Sequence, residues 1–167
     1  ASFQTKVKSP FEFVASSLRI TNAETDGQRP VLDWITKMGQ PVYGRLTPDG
    51  YPDKSSEWLS SNDLLARFNF ASALAMNTIK GTTVNTAKLI THDKTPLTRA
   101  GFARQMIIGT VSDKTLAAIE KLTVDLPPPT MVQTSAPAKP EPADAREKAL
   151  NSQLVALALG APEFQRK

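Results

Sequence analysis

Apolar residues along this chain recur at three- and four-residue spacing in separate blocks, and the residues between the blocks are of the kinds that start and stop helices. Ser9-Pro10-Phe11-Glu12 orders an N-cap hydroxyl, a proline for the first helical position and a capping-box glutamate. Phe11, Val14, Ala15 and Leu18 follow on one expected stripe until the polar stretch 21–27 ends the pattern. A second helix is predicted from near Pro30, with Val31, Trp34, Ile35 and Met38 facing inward and Gly39 as its left-handed terminator. The third starts at a Ser60/Ser61 cap, carries Asp63 in its first turn and is expected to run to Gly81. Its apolar residues, among them Leu64, Leu65, Phe68, Phe70, Leu74 and Ile79, spread around most of the circumference, which predicts a central, nearly encased rod. Thr98 and Ser112 each cap a shorter helix, one through Phe102, Met106 and Ile107 to Gly109, the other through Leu116, Ile119 and Leu122.

Between Gln40 and Trp58 neither periodicity holds, and Pro41, Gly44, Pro48-Asp49-Gly50 and Pro52 supply turn chemistry instead. This stretch carries Tyr43, Tyr51 and Trp58, so it is predicted to pack on the domain as an Ω-type loop. The Thr-rich residues 82–97 yield only a short turn around Ala87–Ile90. Six of the thirteen prolines fall within 126–143, a composition that favours extended, linker-like chain. From about Asp144 a last helix places Leu150, Leu154, Leu157 and Ala158 on one stripe before Gly160 and Pro162 stop it. That stripe needs a surface to cover, so the helix is expected to fold back on the others. The predicted architecture is all-α, an irregular helical bundle of about five to seven helices with a long packed aromatic loop and a Pro-rich linker before the last helix. Its expected organisation is a core over residues 1–125, a linker over 126–143 and a C-terminal helix over 144–167.

Composition narrows the function classes. The chain has 167 residues, a length suited to one core, and no apolar run near the roughly 20 residues that span a bilayer. No signal-peptide pattern opens the sequence, and position 1 is Ala rather than Met, as in a processed or partial chain. With no cysteine, disulfides, thiolate nucleophiles and Cys-ligated metals are excluded, while the redox compartment stays open. A net charge of +4 suggests an anionic partner, but it is spread thinly, with 15 Lys+Arg against 12 Asp+Glu over residues 1–125 and 5 against 4 over 126–167. Nucleic acid needs a concentrated basic stripe, so none is expected as a partner.

Taken in order, Lys8-Ser9-Pro10-Phe11-Glu12, Gly39-Gln40-Pro41, Gly50-Tyr51-Pro52, Trp58, Leu64-Leu65-Ala66-Arg67 with Asn69-Phe70, and Pro162-Glu163-Phe164-Gln165 resemble the C-terminal portion of the bacterial DUF1800 family, a domain of unknown function. The resemblance covers roughly residues 6–80 and 150–167, with 82–143 less similar. The resemblance implies a larger parent protein, often exported to the periplasm or beyond, and an N-terminal part of that protein as the main partner. It carries over no catalytic residues.

Chemistry sought directly is sparse. The lone His92 sits in Thr91-His92-Asp93-Lys94, a polar loop where a solvated imidazole is the ordinary reading, and one His beside one Asp makes no metal site. Among Glu12, Asp33, Glu57 and Asp63 no catalytic carboxylate pair stands out, and Glu12 and Asp63 already serve helix N-termini. No glycine-rich phosphate loop is present, so neither metal nor cofactor is expected. The one constellation left is Tyr43, Tyr51 and Trp58 with Arg67 and Asn69 on an otherwise apolar helix. In the favoured reading the loop caps the bundle, and Arg67 or Asn69 satisfies its backbone. In the other, the rings form a stacking platform for a sugar or a partner chain. The expected function is a non-catalytic helical packing or interaction module. The alternatives are one wall of a larger enzyme's active site, or a carbohydrate- or polymer-binding surface built from the loop aromatics.

Overall fold

The computed structural model describes residues 5–92, 95–122 and 143–167. The fold is mainly helical, and among these residues seven α-helices run in the order α1 (Pro10–Ile20), α2 (Arg29–Lys37), α3 (Ser61–Ala75), α4 (Thr86–Leu89), α5 (Arg99–Met106), α6 (Asp113–Glu120) and α7 (Ala143–Gly160). The proline-rich stretch expected as a linker lies outside the described residues, except for Ala143. Two small antiparallel ribbons, absent from the periodicity reading, join the helices: β1 (Glu24–Thr25) pairs with β2 (Thr82–Thr83), and β3 (Thr91–His92) with β4 (Thr95–Pro96). Strands of two residues are too short to show alternation, which is why the pattern missed them.

Local chemistry sets the helix starts as expected. Ser9 Oγ accepts from the Glu12 amide while Glu12 Oε2 accepts from the Ser9 amide at 2.9 Å, closing a full capping box. Ser60, Thr98 and Ser112 each accept from the backbone amide three residues on. Pro30 stands in the first turn of α2, and Gly39 follows that helix in the left-handed region at φ +87°.

The interior departs from the predicted stripes in two places. In α1 it is Phe13, not Phe11, that is buried; Phe11 is 52% exposed. Positions two apart on a helix point to different sides, and the aromatic cluster selects Phe13, whose ring meets Phe70 at 5.9 Å and Phe164 at 6.0 Å, both edge to face. Helix α3 ends at Ala75 rather than at Gly81, because Asn77 adopts φ +57° and its carboxamide bonds both backbone groups of Val84. It is also less encased than expected, since Leu64 and Leu65 in its opening turns face solvent, and only from Phe70 to Ala75 are most positions buried, Ala73 being partly exposed.

Helix α7 lies along α3 in the most extensive helix pairing of the fold. Both carry small buried residues, Ala71, Ser72 and Ala75 on α3 and Ser152, Ala156 and Ala158 on α7, which allow close approach of the two backbones. Leu154, Val155 and Leu159 supply the bulk of the α7 contribution, a wider buried face than a single leucine stripe. No helix among the described residues is long and apolar enough to cross a membrane.

Because Ser9 is a reciprocal cap whose partner Glu12 also reaches Lys167, Ser9→Ala is expected to cost about 1 kcal/mol. Thermal unfolding should show this as a melting temperature lowered by about 2–4 °C.

Candidate functional site

The loop aromatics do not assemble into a row. Tyr43 is wholly in solvent at 102% exposure and holds a left-handed φ of +60°, and Leu46 beside it is equally bare. Tyr51 is half-buried, donates its hydroxyl to the Pro41 carbonyl at 2.6 Å and tilts against Trp58 at 6.3 Å. Trp58 is buried in a short 3-10 turn, Ser55–Trp58, with its indole N–H on the Pro52 carbonyl. The base of the loop is therefore packed by its own side chains, while its tip, contrary to the expectation of a fully packed loop, projects into water. Only Tyr43 presents a free ring, which leaves a polymer without a multi-ring platform.

Arg67 and Asn69 do not serve this loop. Asn69 is half-buried, and its side chain makes no hydrogen bond among the described residues. Arg67 is 0% exposed, and its Nη2 donates to the Lys8 carbonyl at 2.7 Å, with the guanidinium 5.2 Å from the Phe13 ring centroid. Its Nε and Nη1 have no acceptor among the described residues. Burial pushes the Arg67 pKa down, opposed by Asp63 one turn back, yet a guanidinium stays charged in either case.

Lys8 is thus the centre of a clasp. Its amide donates to the Gln165 carbonyl at 2.8 Å and its Nζ to the Phe164 carbonyl at 2.6 Å, while Nζ also stands 4.0 Å over the Phe164 ring. Val7 and Arg166 form an antiparallel bridge, so residues 6–8 and 165–167 run side by side. Lys167 pairs with Glu12, Lys6 pairs with Asp53, and Ser55 Oγ accepts from the Val7 amide, which joins the loop base to the same strand. Beside the clasp opens a pocket of about 360 Å³, lined by the apolar Ile20, Ile108 and Phe164 and by Lys8, Arg19 and Arg166.

A second, larger hollow of about 660 Å³ lies on another side, between the β1–β2 ribbon, α4 and the first turns of α7. Its walls are polar: Asn22, Glu24, Asn85, Lys88, Glu147 and Asn151 all line it. Neither hollow contains a catalytic constellation of nucleophile, base and acid, and no group of three or more metal-ligating His, Asp or Glu side chains converges among the described residues.

A family model described as "Protein of unknown function (DUF1800)" matches residues 1–166. The chain belongs to the DUF1800 family. The match takes in residues 82–143 as well, the stretch least similar in its local strings. No curated protein and no solved structure matches the chain.

Several of the strings that distinguish this DUF1800 chain converge on the clasp: Lys8-Ser9-Pro10 supplies its centre, Arg67 its buried donor, and Phe164-Gln165 its acceptors. Arg67 stands out in the sequence as the one cation on an apolar helix, but its partner is the Lys8 carbonyl and not the loop, since nothing local reveals which carbonyl a buried guanidinium will meet. Lys8 enters the sequence argument only as part of a family string, and neither Asn151 nor Ser152 stands out there. The detectable signal for those two was a polar pair set within the apolar face of α7.

Two predictions follow from the clasp. Arg67→Ala leaves the Lys8 carbonyl without its donor, so it should destabilise the fold by about 1–3 kcal/mol, with faster amide exchange at Lys8 and Gln165 and none at the tip of loop 40–54. Exchange faster at that tip and unchanged at the clasp would contradict the assignment. Burial pushes the Lys8 amine down from 10.5 to about 8, only partly opposed by Glu12, with Arg67 adding to the depression. Between pH 8 and 10.5 the unfolded chain then holds a proton at this lysine that the folded chain has released, so stability rises with pH across that window. Melting curves should show this rise in the native protein and its loss in Lys8→Met.

Proposed function

We propose that this DUF1800 chain is a non-catalytic helical module that packs against the larger remainder of its own protein through the apolar surface beside the clasp. The observation that carries the reading is where the exposed large apolar residues fall. Leu59 and Leu64 line a shallow depression with Val7, Pro162 and Arg166, directly beside the paired strands 6–8 and 165–167, and Leu65 stands exposed next to Leu64. A contiguous apolar patch on a soluble surface marks a contact that is buried elsewhere. Val7 and Arg166, paired with each other, both line this depression, which favours the remainder of the same protein as the partner.

Tyr43 and Leu46, bare at the tip of the same loop whose base is tied to Val7, give the module a projecting element for that contact. A bulky residue held at positive φ carries a backbone cost of about 1–3 kcal/mol, a form of strain that collects at contact and switch regions. Bacterial origin and export, implied by the family resemblance, belong to the same proposal.

The absence of cysteine allows a direct test by single thiol reporters. In the complete protein, the thiol of Leu65→Cys should react with a maleimide at least about tenfold more slowly than that of Lys80→Cys, a solvent-facing position in the turn after α3. Equal rates, read peptide by peptide in a mass spectrometer, would show that nothing covers the patch.

A further inference from the structure

We propose that the polar groove between the β1–β2 ribbon, α4 and the start of α7 is a binding site for polypeptide backbone, with the Asn151 carboxamide pairing to one peptide unit. It is separate from the docking patch and does not depend on it.

Asn151 is 8% exposed and lines the groove, and its carboxamide makes no hydrogen bond among the described residues. A carboxamide brings one carbonyl and two N–H groups, and a peptide unit offers the matching donor and acceptor. The same groove shows how a carboxamide in this protein holds a peptide. Asn77 donates from Nδ2 to the Val84 carbonyl at 3.0 Å and accepts from the Val84 amide on Oδ1, reproducing the two bonds of a strand neighbour. Asn151 carries the same two-sided group on the groove wall, with no side-chain partner among the described residues.

The groove is built before any ligand arrives. Asn77 locks Val84, Asn85 Oδ1 caps α4 by accepting from the Lys88 amide, and the hydroxyls of Thr25 and Thr82 bond across the ribbon at 2.8 Å. Its volume, about 660 Å³, lies in the range of sites for small ligands. Charge at the rim is mixed and slightly acidic, with Glu24, Asp144 and Glu147 against Lys88 and Lys148. That mixture repels a polyanion and suits a chain bearing both signs. No lining residue is aromatic, so a sugar ring would find no stacking face.

Backbone of this kind could come from a short free peptide or from an extended segment of a protein, and one titration separates the two. Trialanine with free ends and trialanine blocked as its N-acetyl amide are each titrated into the complete protein by calorimetry, with maltotriose as the sugar comparison. Saturable binding of either peptide is expected, weakened at least about tenfold by Asn151→Leu. Thr83→Arg, a substitution at an exposed position on the groove wall that leaves the interior of α7 intact, should weaken it likewise. Preference for the free-ended form would assign the site to short peptides, and equal or better binding of the blocked form would assign it to a protein segment. Binding of neither peptide, binding of maltotriose in their place, or affinities untouched by both substitutions would overturn the proposal.

Discussion

A guanidinium stripped of water decides where the two ends of this fold can lie. Arg67 sits on α3 with no exposed surface, and a charge placed there is tolerable only if something polar is brought to it. The group it receives is a backbone carbonyl, that of Lys8, supported by the face of Phe13. Fixing Lys8 fixes the entry to α1, and Lys8 in turn holds Gln165 and Phe164 through its amide and its amine. Phe164 then closes on Phe13, and Phe13 on Phe70. One buried cation thereby links residues early, midway and late in the chain.

The remaining architecture follows from that closure. With residues 165–167 held beside 6–8, the preceding helix α7 is returned to the bundle and laid along α3, covering Ala71 and Ala75. The far end of α7, around Asp144 to Asn151, then passes the β1–β2 ribbon and α4 and leaves the polar groove between them. The clasp and the groove are therefore opposite consequences of the same helix. Its later residues are apolar and fill the core, and its earlier ones are charged and wall a hollow.

The clasp also shows how a positively charged interior is made tolerable. Lys8 and Arg67 repel one another, and both are desolvated, so the lysine is the one that yields, its amine losing proton affinity until it titrates near pH 8. Glu12 stands on the other side of the balance. Burial would raise its pKa, but Lys167 and the Ser9 amide hold the carboxylate ionised and bring it below its ordinary value, so its contribution to stability is present near neutral pH and is lost only in acid.

Much of this was legible in the residues taken alone. Helix starts at Ser9, Ser60, Thr98 and Ser112 depend on a hydroxyl meeting an amide three residues away, and that geometry is complete within one turn. The helical class of the fold and the left-handed stop at Gly39 are local in the same sense. Which face each helix turns inward was not local. Phe11 and Phe13 have equal claims to the core until Phe70 and Phe164 are in place, and Leu64 looks as buried as Leu74 until α7 is seen to pack further along α3. The partner of Arg67, fifty-nine residues away, and the placing of Asn151 on the groove wall were decided only by tertiary structure. Capping and turn energies are short-ranged and written in neighbouring residues, whereas the fate of a buried polar group depends on which distant backbone the folded chain brings against it.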